Sequence, residues 1–218
     1  IASGAITSYF WNFGNGNTTT SVNPVYAYTV GGTYFIDLTA TSNQNCTTTA
    51  NHTLVIYPEP IADFSVSNGC QNSLLQFVNN SQIASPDNIP FYNWNFGNGG
   101  VSSLPNPSFS YTNAGNFVVN LTATSNHGCV DSRTVPVTVH PLPTVAVLAS
   151  SVCPGFATTF TNSTSGALSY SWNFGDGSPL GGGLGPIHNY TATNNYLVQL
   201  TAVSNQSCLS TGTAVAVV

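Results

Sequence analysis

Apolar and polar residues alternate along most of this chain. In Tyr9-Phe-Trp-Asn-Phe13 the rings of Tyr9, Trp11 and Phe13 fall on one side of an extended backbone and Asn12 on the other. That period of two marks a half-buried strand. The same stretch returns twice, as Tyr92-Asn-Trp94-Asn-Phe96 and Tyr170-Ser-Trp172-Asn-Phe174, each followed by Gly-Asn-Gly or Gly-Asp-Gly. These nine aromatics are the expected core of three repeats. Asn15-Gly16 and Asn98-Gly99 are tight-turn signals between strands. No stretch has helical periodicity.

The three Trp residues are spaced 83 and 78 apart. Each is followed by a Tyr-containing segment and then a near-identical strand: Asp37-Leu-Thr-Ala-Thr-Ser-Asn43, Asn120-Leu-Thr-Ala-Thr-Ser-Asn126 and Gln199-Leu-Thr-Ala-Val-Ser-Asn205. Short strands at this spacing, in units of about 80 residues, predict tandem β-sandwiches. The expected units are 1–57, 58–140 and 141–218, joined by Tyr57-Pro-Glu-Pro60 and His140-Pro-Leu-Pro143. Two prolines in each joint favour a short, extended connection and an elongated array.

These residues resemble the PKD (polycystic kidney disease) domain, an immunoglobulin-like β-sandwich. Its pattern is an aromatic-x-Trp-Asp-Phe-Gly-Asp-Gly strand and turn, then Gly-x-Tyr/Phe and a Leu-Thr-Ala strand. Departures fall on the carboxylates, for Asn12, Asn95, Asn173, Asn15 and Asn98 stand where the pattern has Asp. Only Asp176 keeps it. The Thr-Ser-Asn-x-x-Cys strands are most similar to repeats of very large surface adhesins of the Bacteroidota. The resemblance implies an all-β, tandem immunoglobulin-like fold and an extracellular or cell-surface setting.

Five cysteines mark each unit in the same places. Cys46, Cys129 and Cys208 follow their Trp by 35, 35 and 36 residues, whereas Cys70 and Cys153 precede theirs by 24 and 19. The slots predict disulfides Cys70–Cys129 and Cys153–Cys208 within units 2 and 3, and an oxidising compartment. Cys46 is then unpaired within this sequence. Unit 1 has ten residues ahead of its Trp, so it lacks the opening strands of its neighbours. Those strands are expected upstream in a longer product, the alternative being donation by another subunit. Ile1-Ala2-Ser3 likewise reads as an internal point, with no initiator Met and no basic signal region.

Composition narrows the function classes. The chain carries one Lys+Arg and six Asp+Glu, a net charge of −5, while 26 Asn, 27 Thr and 25 Ser supply about a third of it. One arginine, Arg133, cannot neutralise a nucleic-acid backbone or hold a polybasic membrane contact. No apolar run is long enough to cross a bilayer. The histidines (52, 127, 140 and 188) occupy non-equivalent positions, and the acids (37, 59, 63, 87, 131 and 176) are scattered one or two per unit. Neither set forms a nucleophile–base arrangement or a paired-carboxylate motif. No catalysis and no cofactor are expected, and Asp176 is a weak calcium candidate at best.

Eight Asn-x-Ser/Thr sequons are no more than this composition gives by chance. The expected function is a structural segment of an extracellular adhesin, stalk or filament. Its partners would be copies of itself or neighbouring repeats, or extracellular glycans. The alternative is an accessory module of a secreted hydrolase, whether spacer or polysaccharide binder.

Overall fold

The computed structural model describes residues 4–218, and every regular element in them is a strand. The first unit holds β1 (Ile6–Asn12), β2 (Thr18–Thr19), β3 (Gly32–Ser42) and β4 (Thr47–Ile56). The second holds β5 (Phe64–Ser65), β6 (Gly69–Cys70), β7 (Leu74–Gln76), β8 (Val78–Asn79), β9 (Phe91–Asn95), β10 (Val101–Ser102), β11 (Ser108–Ser110), β12 (Gly115–Thr124) and β13 (Val130–His140). The third holds β14 (Val147–Ala149), β15 (Ala157–Asn162), β16 (Ser169–Asn173), β17 (Gly181–Gly182), β18 (Ile187–Asn189), β19 (Asn195–Val203) and β20 (Leu209–Val217).

One antiparallel sheet recurs. Its order is β2-β1-β3-β4 in the first unit, β10-β9-β12-β13 in the second and β17-β16-β19-β20 in the third. The register is the same each time, with Trp11 opposite Leu38, Trp94 opposite Leu121 and Trp172 opposite Leu200. In the second unit β6 adds to this sheet in parallel, with Cys70 opposite His140. Short strands close the other face: β11–β7 and β5–β8 in the second unit, β14-β15-β18 in the third.

The Trp strand and its turn are built identically three times. The indole N–H donates to Ser21 O, Leu104 O or Gly183 O at 3.1, 2.9 and 2.9 Å. Asn12, Asn95 and Asn173 accept the amide two residues on, at Gly14, Gly97 and Gly175. Those glycines have φ of 76°, 79° and 78°, and a Cβ would lie 2.5–2.7 Å from the carbonyl oxygen of Phe35, Val118 or Leu197. Only Gly serves there. The Asn that replaces Asp still supplies the turn's acceptor oxygen, so loss of charge leaves the loop intact.

The core follows the facing sheet. Trp94 and Trp172 are fully buried, in clusters with Phe77, Phe96, Val119 and Leu121 in the second unit and with Phe160, Phe174, Val198 and Leu200 in the third. Trp11 is only half-buried, because no second sheet covers β1 and β3 among the described residues. Phe13 is buried. Tyr9, Tyr92 and Tyr170, expected in the core, are only half-buried, because they lie towards the start of their strands at its margin.

Candidate functional site

An aromatic ladder lines the turn end of each unit. Phe13–Tyr26, Phe96–Phe109 and Phe174–His188 all stack at 4.1 Å. Below them Tyr28–Tyr34, Tyr111–Phe117 and Tyr190–Tyr196 pack at 4.2, 4.2 and 4.1 Å. Each inner Tyr donates its hydroxyl to the carbonyl of the motif Phe at 2.9 Å. Burial pushes the phenols of Tyr111 and Tyr190 up to about 12. Each buried, hydrogen-bonded phenol ties its segment to the turn that follows the Trp strand.

Asp176 takes the same place as Asn15 and Asn98. Its Oδ1 accepts the Ser178 amide at 3.0 Å and its Oδ2 meets His188 Nε2 at 2.7 Å. Burial works to raise its pKa, but hydrogen bonds from Ser178 and His188 outweigh that and hold it at about 2. Both carboxylate oxygens are thus engaged by protein donors. Among the described residues no group of three or more His, Cys, Asp or Glu side chains gathers as a metal ligand set.

The cysteines depart from the expected pairing. Cys70 is bonded to Cys208, 138 residues away, with the Cα atoms 5.6 Å apart. Cys129 and Cys153 are free thiols, as is Cys46. The pairs Cys70–Cys129 and Cys153–Cys208 are excluded by strand length. Cys70 lies opposite His140 at one end of β13, and Cys129 immediately precedes the other end. Eleven residues of strand separate them by on the order of 35 Å at ~3.3 Å per residue, far beyond the ~7 Å limit between bonded Cα atoms. In unit 3, the Val152 amide bonds Val217 O at the end of β20, while Cys208 precedes its start. Each unit therefore carries its opening cysteine at one end and its hairpin cysteine at the other. Equal spacing from Trp reveals the slots; it carries no information about which end of the sandwich each slot occupies.

The site that emerges is the junction. Between units 2 and 3, Cys70–Cys208 closes it covalently. Between units 1 and 2, Tyr57 stacks on His127 at 3.6 Å, and His127 Nε2 lies 3.2 Å from Asp87 Oδ1. A cleft of ≈ 290 Å³ there is lined by Gly31, Val55, Tyr57, Ala84, Pro86 and His127 among others. The second proline of each joint, Pro60 and Pro143, is buried. Sequence reasoning missed His127 and Tyr57 because each is singular within its repeat.

The family model of the PKD domain matches three times, over residues 2–56, 57–140 and 138–218. A microbial collagenase of Vibrio alginolyticus is 42% identical over 53 residues, which are 24% of this chain and 6% of that protein. Collagenase ColA of Bacillus cereus is 28% identical over 94 residues, 42% of this chain and 10% of that protein. This chain thus spans a tenth or less of the curated relatives' length. Among solved structures, the PKD1 domain of Vibrio anguillarum Epp is 31% identical, covering 39% of this chain and 99% of that one with a TM-score of 0.37. No helix among the described residues is long and apolar enough to cross a membrane.

Proposed function

This chain belongs to the PKD domain family, in three tandem copies, and on that premise we propose that it is a non-catalytic spacer of a secreted hydrolase. The supporting observation is its similarity to segments of two collagenases. Within those proteins the matched stretch is a small part, as befits an accessory module. Its work is positional. Trp-centred cores keep the second and third sandwiches rigid, buried prolines shorten the joints, and the Cys70–Cys208 bond stops the last two units from swinging. A catalytic domain on such a stalk is held at a set distance from its support. A disulfide between repeats supports an extracellular, oxidising setting.

A second reading, a stalk segment of a surface adhesin or filament, is favoured by the covalent junction. A bond between repeats, rather than within one, resists extension along the array. The two readings separate by recovering the parent polypeptide with an antibody against this segment. Material from the culture fluid with a hydrolase domain in the same polypeptide supports the spacer. Cell-bound material made of PKD repeats throughout overturns it in favour of the stalk.

A further inference from the structure

The two joints of the array are built differently. Between β8 and β9 the second unit runs through residues 80–90, eleven residues, whereas the third unit crosses from β15 to β16 in residues 163–168, six residues. The longer segment brings Ala84, Pro86 and Asp87 to the cleft between units 1 and 2. A second hollow, of ≈ 520 Å³, adjoins that cleft along Ile56, Tyr57, Pro58 and Ala84 and reaches Glu59. The two form one groove across the joint, with largely apolar walls, Asp87 in one part and Glu59 in the other.

Charge gathers at the same place. Glu59, Asp63, Asp87 and Asp131 are four of the chain's six acids, and they face one arginine. Asp131 Oδ2 accepts the Ala62 amide at 2.8 Å, which sets it beside the joint, and Asp63 lies 3.8 Å from Arg133. Asp87 is the enclosed member, with 9% of its side chain exposed. His127 Nε2 and Asn126 Nδ2 both reach its Oδ1, at 3.2 and 3.4 Å, and no donor among the described residues reaches Oδ2. A neutral imidazole that donates its proton satisfies a lone pair and cancels no charge. An enclosed carboxylate is costly until a cation meets it. Joining two units does not require this cost, because the second joint is made without it: residues 132–175 and 177–218 contain no Asp or Glu.

We propose that this groove receives a basic side chain, arginine or lysine, from an extended segment of a partner protein. The methylenes of that side chain lie along Val55, Pro58 and Pro86, and its charged head meets Asp87 Oδ2, as long basic side chains do on apolar surfaces. Tyr57, 44% exposed, adds an aromatic wall for the cation. Charge complementarity selects a different protein over a second copy. This chain has no lysine, and its one arginine already lies beside Asp63. The proposal goes beyond the spacer and stalk readings and depends on neither.

The test titrates the chain with the peptide acetyl-Leu-Pro-Arg-Pro-amide, at low salt and mildly alkaline pH, and follows the backbone amides by NMR. The expected shifts fall on Gly31, Gly32 and Thr33 in unit 1 and on Ala84, Ser85 and Asp87 in unit 2, and spare the third unit. The same peptide with citrulline in place of arginine, equal in shape and neutral, binds about tenfold more weakly. Asp87→Asn gives a similar loss. Ala84→Phe, at an exposed position of the groove wall, abolishes the shifts and leaves the carboxylate in place. Amides of Val119 and Leu121 in the core of unit 2 report that each variant is folded. Equal affinity for the citrulline peptide, binding that persists in Ala84→Phe, shifts confined to other surfaces, or no shifts at millimolar peptide would each overturn the proposal. Shifts of the same groove amides on raising the protein concentration alone would assign the groove to a second copy and overturn it as well.

Discussion

Tyr57, at the end of the first unit, lies flat on the imidazole of His127 in the second, with ring centroids 3.6 Å apart and planes 12° from parallel. This is the aromatic counterpart of the disulfide at the next junction. Stacked pairs of this kind contribute about 0.5–1.5 kcal/mol, enough to bias a joint and too little to lock it. Tyr57→Ala is expected to widen the distribution of angles between units 1 and 2, seen by small-angle scattering as a broader distance distribution. The melting of unit 2 should hardly change.

The Trp residues are equivalent in sequence and unequal in burial. Trp172 is fully enclosed and Trp11 is not. Trp172→Ala is expected to cost about 3–5 kcal/mol in denaturant unfolding of its unit. Trp11→Ala should cost roughly 1–2 kcal/mol, since far less apolar area leaves water there. Equal losses at the two sites would contradict the open face of the first sheet.

Raised phenol pKa values make the sandwiches sensitive to alkali. Tyr111 and Tyr190 ionise at about 12 when folded, against 10.0 for a free tyrosine. The unfolded chain thus loses those protons first. Stability from the buried phenols is fully present below pH ~10 and declines as pH rises from there to about 12. Tyr111→Phe and Tyr190→Phe should flatten that decline, while each costs about 1–3 kcal/mol at neutral pH by stranding the Phe96 or Phe174 carbonyl.

Asp176 gives the opposite limb. Its folded pKa is about 2, below the ordinary 3.8. Its contribution is complete above pH ~4 and is lost as pH falls towards 2. Asp176→Asn should lower stability at pH 7 by up to about 1 kcal/mol, as expected for a partly exposed, hydrogen-bonded carboxylate. The difference from the unsubstituted protein should shrink steadily in thermal melts as pH falls from about 4 towards 2.

Strand pattern and repeat unit were legible because Trp94 and Trp172 report a period of two wherever a sheet has one wet face. The Asn12, Asn95 and Asn173 turns were legible because the glycine two residues on admits no side chain. The pairing of Cys70 was not. A hairpin cysteine and an opening cysteine look like partners when each unit is read by itself, and only the parallel register of β6 on β13 puts them at opposite ends. Spacing along the chain is blind to direction along the sandwich axis. Asp176 was read for calcium because the resemblance places carboxylates in that turn. His188, standing where the other units have Tyr26 and Phe109, is what engages its Oδ2.

The covalent bond runs between repeats, from Cys70 of unit 2 to Cys208 of unit 3. It is tested most directly by proteolysis of the oxidised, unreduced protein and mass mapping of the Cys70 peptide. The expected map has Cys70 linked to Cys208, with Cys129 and Cys153 alkylated as free thiols. In the chain-entropy picture, closing a loop of 138 residues constrains the unfolded state by about 5 kcal/mol, so reduction should also lower the melting temperature of the last two units. Recovery of Cys70 joined to Cys129, with Cys208 joined to Cys153, would show instead that each bond closes within one repeat.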